Sequence, residues 1–173
     1  QGTIGNILER CSKKSEGVYQ IIKTQIAASK VVGSDETGAK VNGQKWWIWV
    51  WQNLKNTFIA ASKNRGAETI EKIWGNKLAH TVLVTDRWAA QLNAFTKGYQ
   101  MCLAHLQRNI IFLQETENHP FALQFRQLLT AIFDTRKTLV KNDKPCYEQD
   151  KEAKEIEQKL NDLLLITIHK EQY

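Results

Sequence analysis

The period of the apolar positions changes twice along the chain. Over residues 3–14, Ile4, Ile7, Leu8 and Cys11 recur at helical spacing, with Thr3 in a possible N-cap position. Over residues 15–29, Val18, Ile21, Ile22 and Ile26 do the same. The pattern predicts two helices, either a packed hairpin or a lead-in from a preceding region. From Val31 the reading switches to strands. Val31–Val41 is followed by the hairpin turn Asn42-Gly43, and residues 45–51 return antiparallel as a second strand. Thr57–Ser62 makes a third strand, and Arg65-Gly66 opens a helix over Ala67–Trp74 with Ile70, Ile73 and Trp74 inward. Residues 78–85 supply a fourth strand. It is reached by a crossover and can therefore run parallel to the first. Residues 89–95 form a short helix, and residues 100–106 a fifth strand or a strand turning into helix.

Beyond Gln107 the strand signal stops. Phe121, Leu123, Phe125, Leu128, Leu129, Ile132, Phe133 and Val140 mark a long amphipathic helix that starts at Pro120. Residues 141–145 break it, and residues 148–168 read as a further helix with Ile156, Leu160, Leu163 and Leu164 inward and a solvated, charged first half. The expected architecture is α/β: a ribonuclease H-like mixed five-stranded sheet flanked by helices, with a C-terminal helical insertion. The expected division is a helical lead-in (1–30), a catalytic core (31–112) and a helical insertion or appendage (113–173).

Composition narrows the function classes. The 173 residues carry 24 Lys+Arg against 18 Asp+Glu, a net charge of +6 and a pI near 9.2, which permits nucleic acid as a partner without requiring it. Cys11, Cys102 and Cys146 are scattered, odd in number and without a CxxC pair, which argues against a disulfide framework or zinc site and for a reducing cytoplasm. No stretch reads as a membrane span or signal peptide. A chain starting at Gln1 rather than Met reads as a piece excised from a larger protein.

The candidate chemistry lies at the strand ends. Val31-Val32-Gly33-Ser34-Asp35-Glu36-Thr37 and Thr81-Val82-Leu83-Val84-Thr85-Asp86 are both apolar, β-branched runs that lead to acids. An unpaired carboxylate near a core is costly. Two of them from neighbouring strands can share a divalent cation, and hard oxygen donors suit Mg²⁺ or Mn²⁺. The other reading of Asp86 is a cap for the helix or turn that follows it. Glu36, one residue from Asp35, should point to the opposite face of a regular strand and serve structure. Trp46, Trp47, Trp49 and Trp51 admit two readings, base stacking or core packing, with three of them on one face. His105 reads either as a contact to DNA phosphate or the attacking water, or as a satisfied half-buried histidine. Arg87 and Arg108 read as phosphate contacts. A zinc reading of Cys102-x-x-His105 fails for want of two further ligands.

Ser34-Asp35-Glu36-Thr37-Gly38, Trp47-Ile48-Trp49-Val50, Thr85-Asp86 and Cys102-Leu103-Ala104-His105-Leu106-Gln107-Arg108 together resemble the catalytic domain of the insertion sequence 66 family of transposases, over roughly residues 2–112. The resemblance implies a DDE-type enzyme that cuts element ends and joins them to target DNA with two Asp, one Glu and Mg²⁺. Asp35 and Asp86 are similar to the first and second acids, as catalytic residues and metal ligands. It also implies DNA as partner, a homo-oligomer as one option, and a bacterial cytoplasm. The third acid departs from the family's pattern. Glu115, Glu117, Glu148, Glu152, Glu155, Glu157 and Glu171 all lack its context, so the expectation places that Glu beyond Tyr173. Two competing classes remain at this point: a non-catalytic DNA-binding or assembly fragment, and another ribonuclease H-like nuclease.

Overall fold

The computed structural model describes residues 2–117, 120–141 and 151–165. The chain forms two compact units, residues 1–102 and 103–173. No described helix is long and apolar enough to cross a membrane.

The first unit holds α1 (Gly2–Ala27), β1 (Val31–Val41), β2 (Gln44–Gln52), β3 (Thr57–Ser62), α2 (Ala67–Trp74), β4 (Val82–Thr85), α3 (Ala89–Leu92) and β5 (Gly98–Met101). Its five strands lie in the order β3-β2-β1-β4-β5. β1, β2 and β3 form an antiparallel meander, and β4 and β5 add in parallel beside β1. This is the ribonuclease H-like order expected from the pattern. The β1–β2 turn needs left-handed backbone at both corners, and Asn42 and Gly43 supply it with φ of 51° and 76°.

Strand alternation decides which residues enter the core. Val32 on β1, Trp49 and Trp51 on β2, Phe58 on β3 and Leu83 on β4 are buried together, covered by Ile26 of α1 and by Ile70 and Trp74 of α2. Trp49 and Trp51 stack with ring centroids 5.7 Å apart, and Trp51 meets the edge of Trp74 at 5.3 Å. Both β2 rings are fully buried, which leaves no face for a base and settles their role as core. Trp47, on the same face, is only partly buried and packs against this cluster.

Several boundaries differ from the sequence expectation, each for a local reason. The two N-terminal helices are one continuous helix. Gly17 costs only about 1 kcal/mol inside a helix, and the Lys13–Glu9 and Gln20–Glu16 pairs support the turns on either side. Only Tyr19, Ile22, Ile26 and Ala27 of α1 join the core, while Ile4, Ile7, Leu8, Val18 and Ile21 are exposed. The fourth strand is four residues long, because residues 75–80 form turns after α2, with Thr81 N–H bonded to the Leu78 carbonyl. Leu78 is still buried, from the turn rather than from a strand. α3 ends at Leu92 rather than at residue 95.

The second unit holds α4 (Leu103–Glu117), α5 (Pro120–Lys141) and α6 (Lys151–Leu164). The fifth strand is thus a strand that gives way to helix. Phe125, Leu128 and Leu129 of α5 form a separate core with Ile110 of α4 and Leu163 of α6. Leu123, Val140 and Leu164 are exposed. The break at residues 142–145 and the outer ends of the last predicted helix, 148–150 and 166–168, lie outside the described residues.

Removing the central ring of the first core tests this packing. Trp51→Ala is expected to lower stability by about 3–5 kcal/mol in urea unfolding, and Leu54→Ala, on the fully exposed β2–β3 turn, by no more than about 0.5 kcal/mol.

Candidate active site

β1 and β4 are paired in parallel over Val31–Gly33 and Val82–Val84 only. Asp35 and Asp86 each stand two residues past the end of that pairing, so the two strands deliver their acids at the same level. A carboxylate oxygen of Asp35 and one of Asp86 lie within 4.8 Å of each other. Asp35 is exposed and Asp86 half-buried. At about 4 Å two like charges repel by about 1 kcal/mol in water and about 4 kcal/mol at an effective dielectric constant of 20. A divalent cation between them turns that repulsion into attraction, and two carboxylates so close suit an oxygen-loving ion such as Mg²⁺ or Mn²⁺.

Local hydrogen bonds hold both carboxylates. The Glu36 N–H donates to Asp35 Oδ1 at 2.9 Å. The Trp88 N–H donates to Asp86 Oδ1 at 2.9 Å, and the Thr85 hydroxyl lies 3.3 Å from the same oxygen. Asp86 therefore closes a turn just ahead of α3, whose N-cap residue is Trp88. A carboxylate has about four acceptor positions, so the turn and a cation can both be served. Arg87 sits at the centre of this turn in left-handed backbone, φ 73°, a conformation that costs a non-glycine residue about 1–2 kcal/mol. Its side chain is exposed.

Glu36 points the other way, into the core side of the sheet, as strand alternation requires. Its side chain is 1% exposed. Arg65, in the loop before α2, donates through Nε and Nη2 to Glu36 Oε1 at 3.0 and 2.8 Å, and Gln91 of α3 donates through Nε2 to Oε2. The Arg65 guanidinium lies between two indoles, 4.5 Å from the Trp47 ring and 3.8 Å from the Trp88 ring. The Trp88 indole N–H donates to the Arg65 carbonyl at 3.3 Å. The roles of Arg65, Gln91 and Trp88 were not read from the sequence. A buried strand acid needs a cation, a signal that could have called for an arginine or lysine, but nothing in the spacing selects Arg65.

Among the residues proposed from sequence, the first unit brings Asp35, Asp86 and Arg87 together. His105, half-buried, and Arg108, exposed, lie on α4 of the second unit. Glu115 on α4 and Glu152, Glu155 and Glu157 on α6 are exposed. Glu148, Glu171 and the side chain of Glu117 lie outside what is described.

Residues 1–172 match the model of a family described as Transposase IS66 family. No curated protein matches the chain. Among solved structures, the chain is similar to the HTLV-2 integrase catalytic core domain in complex with magnesium (trimeric form). The identity is 12%, the match covers 82% of this chain and 90% of that one, and the TM-score is 0.35.

The geometry generates two expectations. Arg87→Gly should unfold at equal or higher denaturant than the parent, by up to about 1 kcal/mol, whereas Arg87→Val, β-branched in left-handed backbone, should unfold at lower denaturant than the parent. Arg65→Ala leaves a buried carboxylate without its cation and should cost about 3 kcal/mol in the same measurement.

Proposed function

We propose, for a chain that belongs to the Transposase IS66 family, the metal-dependent cutting and strand transfer of an insertion element's DNA. The observation that carries this reading is the meeting of Asp35 and Asp86, from two parallel strands, with carboxylate oxygens within 4.8 Å. These two residues would hold Mg²⁺ or Mn²⁺. When bound, such an ion would activate a water or a DNA 3′-hydroxyl as nucleophile at neutral pH and would offset charge on the leaving oxygen of the phosphodiester.

The chain's own part in this reading is to present the two acids at one level and hold them in position. Glu36 N–H orients Asp35, and Trp88 N–H orients Asp86. To Arg87, exposed beside Asp86, we assign contact with a DNA phosphate, and the same role to His105 and Arg108 of α4. DNA is the partner, as element ends and target, and self-association of the chain belongs to the same reading. Residues 113–173 serve as a helical insertion on the catalytic core, and residues 1–30 as its lead-in.

Two measurements test the proposal. In the full-length protein, Asp35→Asn and Asp86→Asn should each abolish strand transfer; retained transfer in either overturns the assignment. In this chain, Mn²⁺ at a hundredfold excess over its Kd should add about 2.7 kcal/mol of stability, visible as a thermal shift that Asp86→Asn removes. An equal shift in parent and variant would place the ion elsewhere. A salt-dependent DNA affinity indifferent to Mn²⁺ and to both substitutions would mark a DNA-binding or assembly fragment instead.

A further inference from the structure

Past Gly33 and Val84 the ladder between β1 and β4 has ended, and no backbone pairing sets the spacing of Asp35 and Asp86. A second connection bridges the gap on the opposite face of the sheet. From Asp35 the chain runs one residue to Glu36, whose buried carboxylate is gripped by the Arg65 fork. The Arg65 guanidinium lies 3.8 Å from the Trp88 ring, and the Arg65 carbonyl accepts the Trp88 indole N–H. The Trp88 backbone N–H in turn holds Asp86 Oδ1. Gln91 closes a shorter path from α3 to the other oxygen of Glu36. The result is a ring of contacts with one opening, and the two acids stand at its ends.

We propose that Arg65 is a positioning residue for the two-acid centre, acting through Glu36 on Asp35 and through Trp88 on Asp86. The inference rests on the function proposed above and adds a residue that touches neither acid. Arginine suits the position where lysine does not. Its planar fork binds one carboxylate oxygen through two N–H groups and stacks between two indoles, whereas an ammonium is a point charge on a flexible stem. Trp47 of β2 supports the guanidinium from its other ring. Phe58, buried on β3 two strands away from β1, serves as the packing control.

Arg65→Lys is the informative variant, because it keeps the charge that Glu36 needs and loses the fork and the stacking. Two readouts are taken on the protein: the separation of the Asp35 and Asp86 carboxylates in metal-free crystals, and Mn²⁺ affinity by titration followed by electron paramagnetic resonance. The parent should keep the carboxylates within 4.8 Å. A folded Arg65→Lys should show them further apart, with Mn²⁺ affinity lowered about 10–100-fold, the range for groups that orient metal ligands. Phe58→Leu should change neither readout. Unchanged separation and affinity in folded Arg65→Lys overturn the inference, as does an equal loss in Phe58→Leu, which would mean that general packing is responsible. If Arg65→Lys does not fold, Trp88→Phe decides on the same two readouts, since it keeps a ring over the guanidinium and removes the indole N–H. A parent that binds no Mn²⁺ overturns the metal reading alone, and the carboxylate separation still decides the role of Arg65.

Discussion

β1 and β4 run side by side and in parallel, but their ladder extends only over Val31–Gly33 and Val82–Val84. Everything chemical in the first unit depends on how the two chains are held after that ladder stops. Parallel pairing sets the level at which each strand releases its acid, because equal offsets from the last paired residues bring Asp35 and Asp86 to the same height. Sideways spacing is then left to groups outside the ladder. Short bonds within residues 35–36 and 85–88 orient each acid, and on the other face the buried pair of Glu36 and Arg65 ties β1 to the loop before α2.

That division of labour follows from strand alternation. Successive residues point to opposite faces, so the Asp35-Glu36 pair places one carboxylate toward solvent and one toward the core. The core-side acid is tolerated only because a guanidinium and an amide satisfy it, since a buried charge without partners is prohibitively costly. The Arg65 side chain is 35% exposed and reaches inward from the loop before α2. It is flanked by Trp47 and Trp88, rings that pack well against its planar face. The tryptophan-rich β2 strand therefore has two uses. Trp49 and Trp51 fill the core, and Trp47 walls the arginine.

Much of this was legible in the sequence. The strand pattern, the Asn42-Gly43 turn and the Ala67–Trp74 helix are local signals, and the structure follows them closely. The acids stood out because charge at the end of a β-branched run has few bland explanations. Asp86 shows the limit of that logic, since it closes a turn and meets Asp35 at the same time, and spacing alone offered these as rivals. The N-terminal helix reads as two because residues 12–17 carry no apolar side chain, yet Ile4, Cys11 and Val18 keep one helical phase across them and Gly17 costs little. Residues 78–81 read as strand, but the turns after α2 take in residues 78–80, and Leu78 and Thr81 are buried without belonging to a strand. Arg65 was invisible for a different reason. Its partners Glu36, Trp47 and Trp88 come from three separate segments, and only the assembled sheet puts them around it.

The topology also orders the assembly of the molecule in time. β1, β2 and β3 are joined by tight turns, so their pairing closes short loops. The β1–β4 ladder must bring together segments separated by about fifty residues, and the entropy of closing a loop grows with its length. Contacts of that kind form late in folding. The hairpins can therefore exist, transiently, in a chain whose two acids have not yet met. On this account the centre reports completion of the fold: it comes into being with the last long-range pairing and is lost with the first fluctuation that undoes it.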